Sequence, residues 1–454
     1  MSNAFSPTLF SGRLYAVVGL GRAGIAAMRA LESMGARVIG WDDAPFVREQ
    51  AAAEGFAIAD PTADIGDITA LILSPGIAHR LPVPHRIAAA AMAAGKPILT
   101  DAEILFEAVR KSGFRTRFAG ITGTNGKSTT TALLAHILEQ AKIPHAAGAN
   151  LGPAALSLPA LPDNGVYVLE MSSYMLERLQ TLRFDVAVML NLSPDHLDRH
   201  GDMQGYAGAK RNVFARQTAH DTAILGTDDP LSEEMAQSIA GALRISVTKP
   251  ADIWCDEDFC LRDSSGVIAD LRTAHALPGR HNAQNAAAAF ALARALGIAD
   301  EVIRSALQSF GGLAHRQELI AEIDGVRYIN DSKATNADAT SRALNCYDRV
   351  VWIAGGIGKT GGIEDLCKFF PRVAHALLIG RDAARFSETM RSHDLPHEIV
   401  DTLEQAVARA PALARDLGAK IVLLSPAAAS FDQFSGFEER GQHFRELVEA
   451  MKHA

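Results

Sequence analysis

The stretch Gly120–Thr130, GITGTNGKSTT, constrains the fold of this chain more than any other. An apolar run, RTRFAGIT, leads into it, and a helix-forming run, TTALLAHILEQ, leads out. A strand that closes in a glycine-rich turn and restarts as a helix makes a phosphate cradle. Gly123 and Gly126 let backbone N–H groups turn inward around Thr124 and Asn125, and the new helix presents its positive end. Lys127 can then reach the transferred phosphate, and Ser128 or Thr129 can offer a hydroxyl to Mg2+. The strict spacing G-x-x-x-x-G-K-[ST] requires glycine at 121, where this chain has Ile121, with Gly120 one position early. The bland alternative is a glycine-rich helix start that binds nothing. Strand, loop and helix in sequence favour a nucleotide site.

A second glycine loop opens the chain. VVGLGRAG, from Val17, satisfies G-x-G-x-x-G after a strand, with Asp42 at the end of the next apolar run. The motif fits a ligand with a pyrophosphate against a helix N-terminus, or a tight helix–strand contact that needs small residues. Two nucleotide-like sites in one chain suggest either a regulated ATPase or a ligase whose own substrate carries a nucleoside diphosphate, and the residues leave that choice open.

Runs such as RVIGWDD, ALILSPGI, GVYVLEMSS, FDVAVMLNLS, RVVWIAGG, HALLIG and KIVLLSP alternate with helical spacings, the mark of parallel sheets with crossover helices. An antiparallel excursion is expected around 252–274, and a hairpin at LIAEIDGVRYINDS with Asp324–Gly325 in its turn. The fold class is therefore α/β, in three domains: a Rossmann-like domain over 1–105, a P-loop ATPase-like domain with a mostly parallel sheet over 106–308, and a Rossmann-like domain over 309–454. Glu170, closing VYVLE, is placed to help hold Mg2+, with helix capping as the alternative; Asp195 and His196 follow the next strand in a loop.

Composition narrows the class. At 454 residues, 48% hydrophobic and 21% charged, the chain is ordinary globular material. A net charge of −8 with interspersed signs disfavours nucleic acid as a partner. Four cysteines without zinc-knuckle spacing read as reduced thiols. No signal-like N-terminus and no run near the ~18 apolar residues of a membrane span point to a cytoplasmic protein without membrane contact.

GITGTNGKSTT, VLEMSS, NLSPDHLDRH, YAGAK, HNAQNAAAA, HRQE, NDSKATN and SPAAASFDQFSGFEERG occur in this order. Together they resemble the cytoplasmic Mur ligases of peptidoglycan synthesis, from VVGLGRAG to FEERG. NDSKATN and SPAAASFDQFSGFEERG favour the branch that adds D-glutamate to UDP-N-acetylmuramoyl-L-alanine; a relative adding L-glutamate or another amino acid is the alternative. The resemblance implies ATP, two Mg2+ sites, an acyl-phosphate intermediate and a monomer, with closure of the domains around one cleft.

The resemblance also implies roles. Lys127 holds the γ-phosphate. Ser128, Thr129, Glu170 and His196 ligate Mg2+ together with Lys210, which is expected to be carbamylated. Asn282 and Asn285 face the adenine, Arg316 reaches the phosphates, Asp331 lies near the ribose and Lys333 near the reacting carboxylate. Gly19, Leu20, Gly21, Arg22 and Asp42 take the uridine-diphosphate end, beside Ser74, Pro75 and Gly76. Asn150 and Ser172 face the muramoyl-alanine part. Thr335, Lys359, Ser430, Phe431 and Phe437 hold the glutamate. Two positions depart from the family pattern: Ala314 stands where proline is usual, and Phe431 where leucine is common.

Overall fold

The computed structural model describes residues 4–359 and 361–452. Within them the chain forms two compact units, one reaching to residue 274 and including 280–309, the other comprising 275–279 and 310 onward. The expected second boundary at 308/309 falls at the end of the first unit, and a single helix, Asp101–Lys111, runs across the expected boundary at 105. Among the described residues no helix is long and apolar enough to cross a membrane.

The first unit opens with β1 (Leu14–Val18), α1 (Arg22–Ser33), β2 (Arg37–Trp41), α2 (Pro45–Ala53), β3 (Ala70–Leu73), α3 (Arg86–Ala93), β4 (Ile98–Leu99) and α4 (Asp101–Lys111). Its strands form an all-parallel sheet in the order β2-β1-β3-β4. Helix α1 buries Gly24, Ala27, Met28 and Leu31, one helical stripe, on this sheet. The chain leaves β1 for one side and returns on the other at β3, so the loops after β1 and β3 flank a crevice suited to a ligand.

There follow β5 (Arg117–Thr122), α5 (Lys127–Gln140), β6 (His145–Ala149), β7 (Val166–Glu170), α6 (Ser173–Leu176), β8 (Val186–Met189), α7 (Leu197–His200) and α8 (Met203–Arg211). Then come β9 (Thr222–Gly226), α9 (Pro230–Ser238), β10 (Leu243–Ser246), β11 (Ile253–Cys255), β12 (Cys260–Asp263), β13 (Gly266–Asp270), α10 (Arg280–Ala295) and α11 (Asp300–Ser309). The second sheet runs β13-β12-β11-β10-β9-β8-β5-β7-β6 and is parallel up to β11, after which β12 and β13 make the antiparallel excursion. Here the reversal of strand order lies at β5. The phosphate loop after β5, Glu170 at the end of β7 and the segment after β8 therefore meet at one edge. Alanine-rich α10, buried almost end to end, packs closely on α5 because small side chains let the helix backbones approach.

The second unit contains β14 (Glu318–Ile323), β15 (Val326–Asn330), α12 (Ala337–Cys346), β16 (Val350–Gly355), β17 (Ile357–Gly358), β18 (Val373–Ile379), α13 (Ala383–Ser392), β19 (His397–Asp401), α14 (Leu403–Leu417), β20 (Ile421–Leu424), β21 (Ala428–Ala429) and α15 (Phe437–Met451). Its main sheet runs β14-β15-β20-β16-β18-β19, with only β14 antiparallel. The β14–β15 turn has φ of 52° at Asp324 and 74° at Gly325, the paired left-handed geometry of a two-residue hairpin. The α/β class with mostly parallel sheets is thus as the sequence predicts.

Candidate functional site

The phosphate loop spans the gap between β5 and α5, whose first residue is Lys127. Gly126 has φ 87°, and a Cβ there would sit 2.1 Å from Asn285 Oδ1, so both backbone angle and space demand glycine. Gly120 lies inside β5, where a Cβ would strike the Phe184 ring at 2.7 Å; it serves sheet packing and leaves Ile121 as an ordinary buried strand residue. Ser128 and Thr129 are largely buried in the first turn of α5.

Two ammonium groups meet at this loop. Lys127 Nζ donates to Gly123 O at 3.0 Å and to Thr124 O at 2.8 Å, and Lys210 Nζ donates to the same Gly123 O at 2.8 Å. Lys210 is 1% exposed, and burial reinforced by the charge of Lys127 holds its pKa well below the ordinary lysine value. A lysine so depressed spends more time as the neutral amine, the form that can react with CO2. Glu170 is 2% exposed; its Oε1 accepts from Asn150 Nδ2 at 2.6 Å, while Oε2 is buried with no hydrogen-bond partner among the described residues. His196 lies at the N-terminus of α7 with φ 53°, 3.3 Å from Asp195 and 4.9 Å from the Tyr174 ring centre. Partial burial depresses its pKa, which keeps it neutral and able to ligate at physiological pH.

Among the described residues no three His, Cys, Asp or Glu side chains are grouped to hold a metal ion by themselves. Mg2+ does not require such a cage: it keeps several waters and takes one or two carboxylates plus substrate phosphates. The orphaned Glu170 oxygen near the phosphate loop fits that pattern. Ser172 has a structural task as well, capping α6 by accepting from Met175 N at 3.3 Å.

Asn282 and Asn285 lie within α10 and are not N-caps. Asn285 Nδ2 donates to Asn282 Oδ1 at 3.1 Å, and its own Oδ1 accepts from Thr130 Oγ1 at 3.3 Å. Between them Gln284 belongs to a relay that sequence reading passed over. Asp228 Oδ2 accepts from Gln284 Nε2 (2.8 Å), Gln284 Oε1 from Asn191 Nδ2 (2.7 Å), and Asn191 Oδ1 from the Asn125 N–H of the phosphate loop (2.9 Å). The available signal was the glutamine set between two expected ligands in HNAQN and the asparagine opening NLSPDH.

On the first sheet, Gly19 and Ser74 are close enough that a Cβ on Gly19 would lie 2.5 Å from Ser74 Cβ, so the loops after β1 and β3 touch. Gly24 packs against Gly19 O, whereas Gly21 faces open space. Asp42 accepts from Leu20 N at 2.8 Å and from Ala44 N at 3.0 Å, bracing the turns beside it. A cavity of ≈ 440 Å³ borders Leu20, Gly21 and Arg22 and continues between α1 and α2.

In the second unit the expected residues follow β15, β16 and β20. Asp331 is buried, accepts from Ser425 Oγ at 2.7 Å and Gln317 N at 3.2 Å, and is pushed up to about 7 by burial. Arg316 sits between two left-handed residues, His315 (φ 61°) and Gln317 (φ 45°), close enough for its charge to act on Asp331. Lys333 Nζ lies 5.5 Å from the Phe437 ring centre, and Thr335 N donates to Lys333 O at 2.9 Å. Ser430 is 2% exposed, with a buried hydroxyl lacking any partner among the described residues; Lys359 and Phe431 are exposed. Arg440, which sequence reading also passed over, ties these loops together by donating to Ser332 Oγ and O and to Ala428 O at 2.8–3.1 Å.

Known proteins similar to this chain match it over nearly its whole length. Residues 121–293 fit the family description "Mur ligase middle domain" and residues 315–428 "Mur ligase, glutamate ligase domain". A UDP-N-acetylmuramoylalanine–D-glutamate ligase of Paramagnetospirillum magneticum is 46% identical, over 98% of this chain and 98% of its own. One of Phenylobacterium zucineum is 46% identical over 97% of both. Among solved structures, the UDP-N-acetylmuramate–alanine ligase of Thermotoga maritima superposes with a TM-score of 0.61 at 17% identity, over 97% of this chain and 99% of its own, a likeness of fold.

Proposed function

The chain belongs to the Mur ligase family, and from that premise we propose how its residues serve the reaction. It is an ATP-dependent ligase that adds D-glutamate to UDP-N-acetylmuramoyl-L-alanine in peptidoglycan synthesis. One observation carries this: 46% identity to D-glutamate ligases extends over 98% of the chain, and so takes in both units. The alternative of L-glutamate or another amino acid has no observation in its favour.

In the proposed reaction the L-alanyl carboxylate attacks the γ-phosphorus, the bond to the β,γ-bridging oxygen breaks and ADP leaves. The glutamate amine then attacks the acyl carbon, the C–O bond to phosphate breaks, and the amine proton is lost as the amide forms. Lys127 turns from the Gly123 and Thr124 carbonyls to the γ-phosphate. Mg2+ ions, when bound, neutralise charge on the transferred phosphoryl group, with Ser128, Thr129, Glu170, His196 and a carbamate on Lys210 as their protein ligands. Asn282, Asn285 and Asp331 take the nucleoside of ATP, and Arg316 its phosphates. Lys333 is assigned to the reacting carboxylate; Thr335, Lys359, Ser430, Phe431 and Phe437 to the glutamate. Gly19–Arg22, Asp42 and Ser74–Gly76 take the uridine diphosphate, with Asn150 and Ser172 toward the muramoyl-alanine.

The three-domain division, action as a monomer and a cytoplasmic setting complete the proposal. Mass spectrometry of the nucleotide product tests it. A substrate mass increased by one glutamyl residue supports the reading, and an unchanged mass in the presence of ATP and Mg2+ sinks it. The carbamate has its own test: 13C-labelled bicarbonate gives a carbamate resonance in the native protein and none in Lys210→Ala.

A further inference from the structure

Arg178 lies in the turn after α6, 2% exposed, with its guanidinium directed at one loop of the first sheet. Nη1 donates to Leu73 O at 2.7 Å and Ser74 O at 3.1 Å, and Nη2 to Ile77 O at 2.7 Å and Pro75 O at 3.4 Å. Arg199 of α7 donates to Gly76 O at 3.0 Å and Ile77 O at 3.4 Å, while its guanidinium lies over the Tyr174 ring at 4.3 Å. Five successive carbonyls, 73 to 77, are thus drawn toward two cations.

Neither arginine forms an ion pair among the described residues, and the buried Arg178 Nε–H finds no acceptor there. Of the nearby carboxylates, Glu177 is engaged by His200 at 2.6 Å and lies 3.6 Å from His79, and Asp195 and Asp198 act at the Tyr174 ring. Burial and the charge of Arg199 push the Arg178 pKa down to about 10, which leaves it cationic at neutral pH. The guanidinium N–H groups under the loop are therefore taken up by backbone carbonyls, while Glu177 acts on the Arg178 charge from nearby.

We propose that Arg178 and Arg199 are positioning residues for the nucleotide substrate, holding the Ser74–Gly76 loop in the form that accepts a diphosphate. The proposal rests on the placement of the uridine diphosphate given above. Carbonyl oxygens free to turn outward would present negative dipoles to the diphosphate; tied inward, they do not, and the two guanidinium charges add attraction through the loop. Because Arg199 is three residues from His196, the same contacts link the substrate loop to the segment assigned to phosphoryl transfer.

The test is a set of Michaelis constants for Arg178→Gln, Arg178→Lys and Arg199→Gln, with each of the three substrates varied in turn. Arg199→Gln raises KM for UDP-N-acetylmuramoyl-L-alanine about tenfold, leaving KM for ATP and glutamate within about twofold. Arg178→Gln raises it further, and Arg178→Lys restores part of the loss. Equal KM for the nucleotide in folded Arg199→Gln, or a parallel rise in all three constants, overturns the proposal. If Arg178→Gln does not fold, Arg199→Gln, only half-buried, decides. If the native protein turns over no nucleotide substrate, the proposed function fails first, and calorimetric binding of UDP decides here: weaker binding by Arg199→Gln supports the role, and equal binding ends it.

Discussion

Lys127 and Lys210 share the carbonyl of Gly123, an arrangement of two cations on one acceptor that an incoming phosphate or loss of one charge would relieve. Lys127→Ala should therefore lower kcat by about a hundredfold or more while the protein stays folded, measured by ADP release alongside a thermal melt. Asp331 allows a prediction with a definite sign. Its carboxyl, ordinarily at 3.8, is held at about 7 by burial, so the folded state binds this proton more tightly than the unfolded chain does. The stability that this proton brings is present below about pH 4 and is lost as pH rises toward 7. Asp331→Asn removes the titration. Its melting temperature relative to the native protein should climb between pH 4 and pH 7, and a flat difference would refute the burial argument.

At the scale of elements, the phosphate loop depends on a glycine angle and a polar relay. Gly126→Ala introduces a Cβ 2.1 Å from Asn285 Oδ1 at φ 87°, and should cost about 1–3 kcal/mol of stability and most ATP binding; an unshifted denaturation midpoint would contradict the structure. Gln284→Ala breaks the path from Asp228 to Asn125 and should raise KM for ATP about tenfold with KM for glutamate unchanged. The loop, its flanking strand and helix, and the Asp324–Gly325 hairpin were legible because each follows from local pattern. The relay was not: Asp228, Asn191 and Gln284 lie on different elements, and only sheet order brings them together. Arg178 was hidden for the same reason, since its partners are carbonyls about a hundred residues earlier, and carbonyls carry no side-chain signature.

For the whole molecule, alternating apolar runs and helical spacings gave the α/β class, while eight ordered motifs gave the family. What they could not give is the reversal of strand order at β1 and at β5, which sets the glycine loop beside Ser74 and the phosphate loop beside Glu170. Those two reversals bring separate motifs side by side within the first unit, where the two nucleotide sites are proposed. The second unit adds the buried Ser430 hydroxyl, which has no partner among the described residues. The central claim is that these sites serve one amide-forming reaction with D-glutamate. Phosphate release from ATP, Mg2+ and UDP-N-acetylmuramoyl-L-alanine, run in parallel with D- and L-glutamate, tests it most directly. The account predicts release with D-glutamate and only background with L-glutamate; release with L-glutamate alone, or with neither, would contradict it.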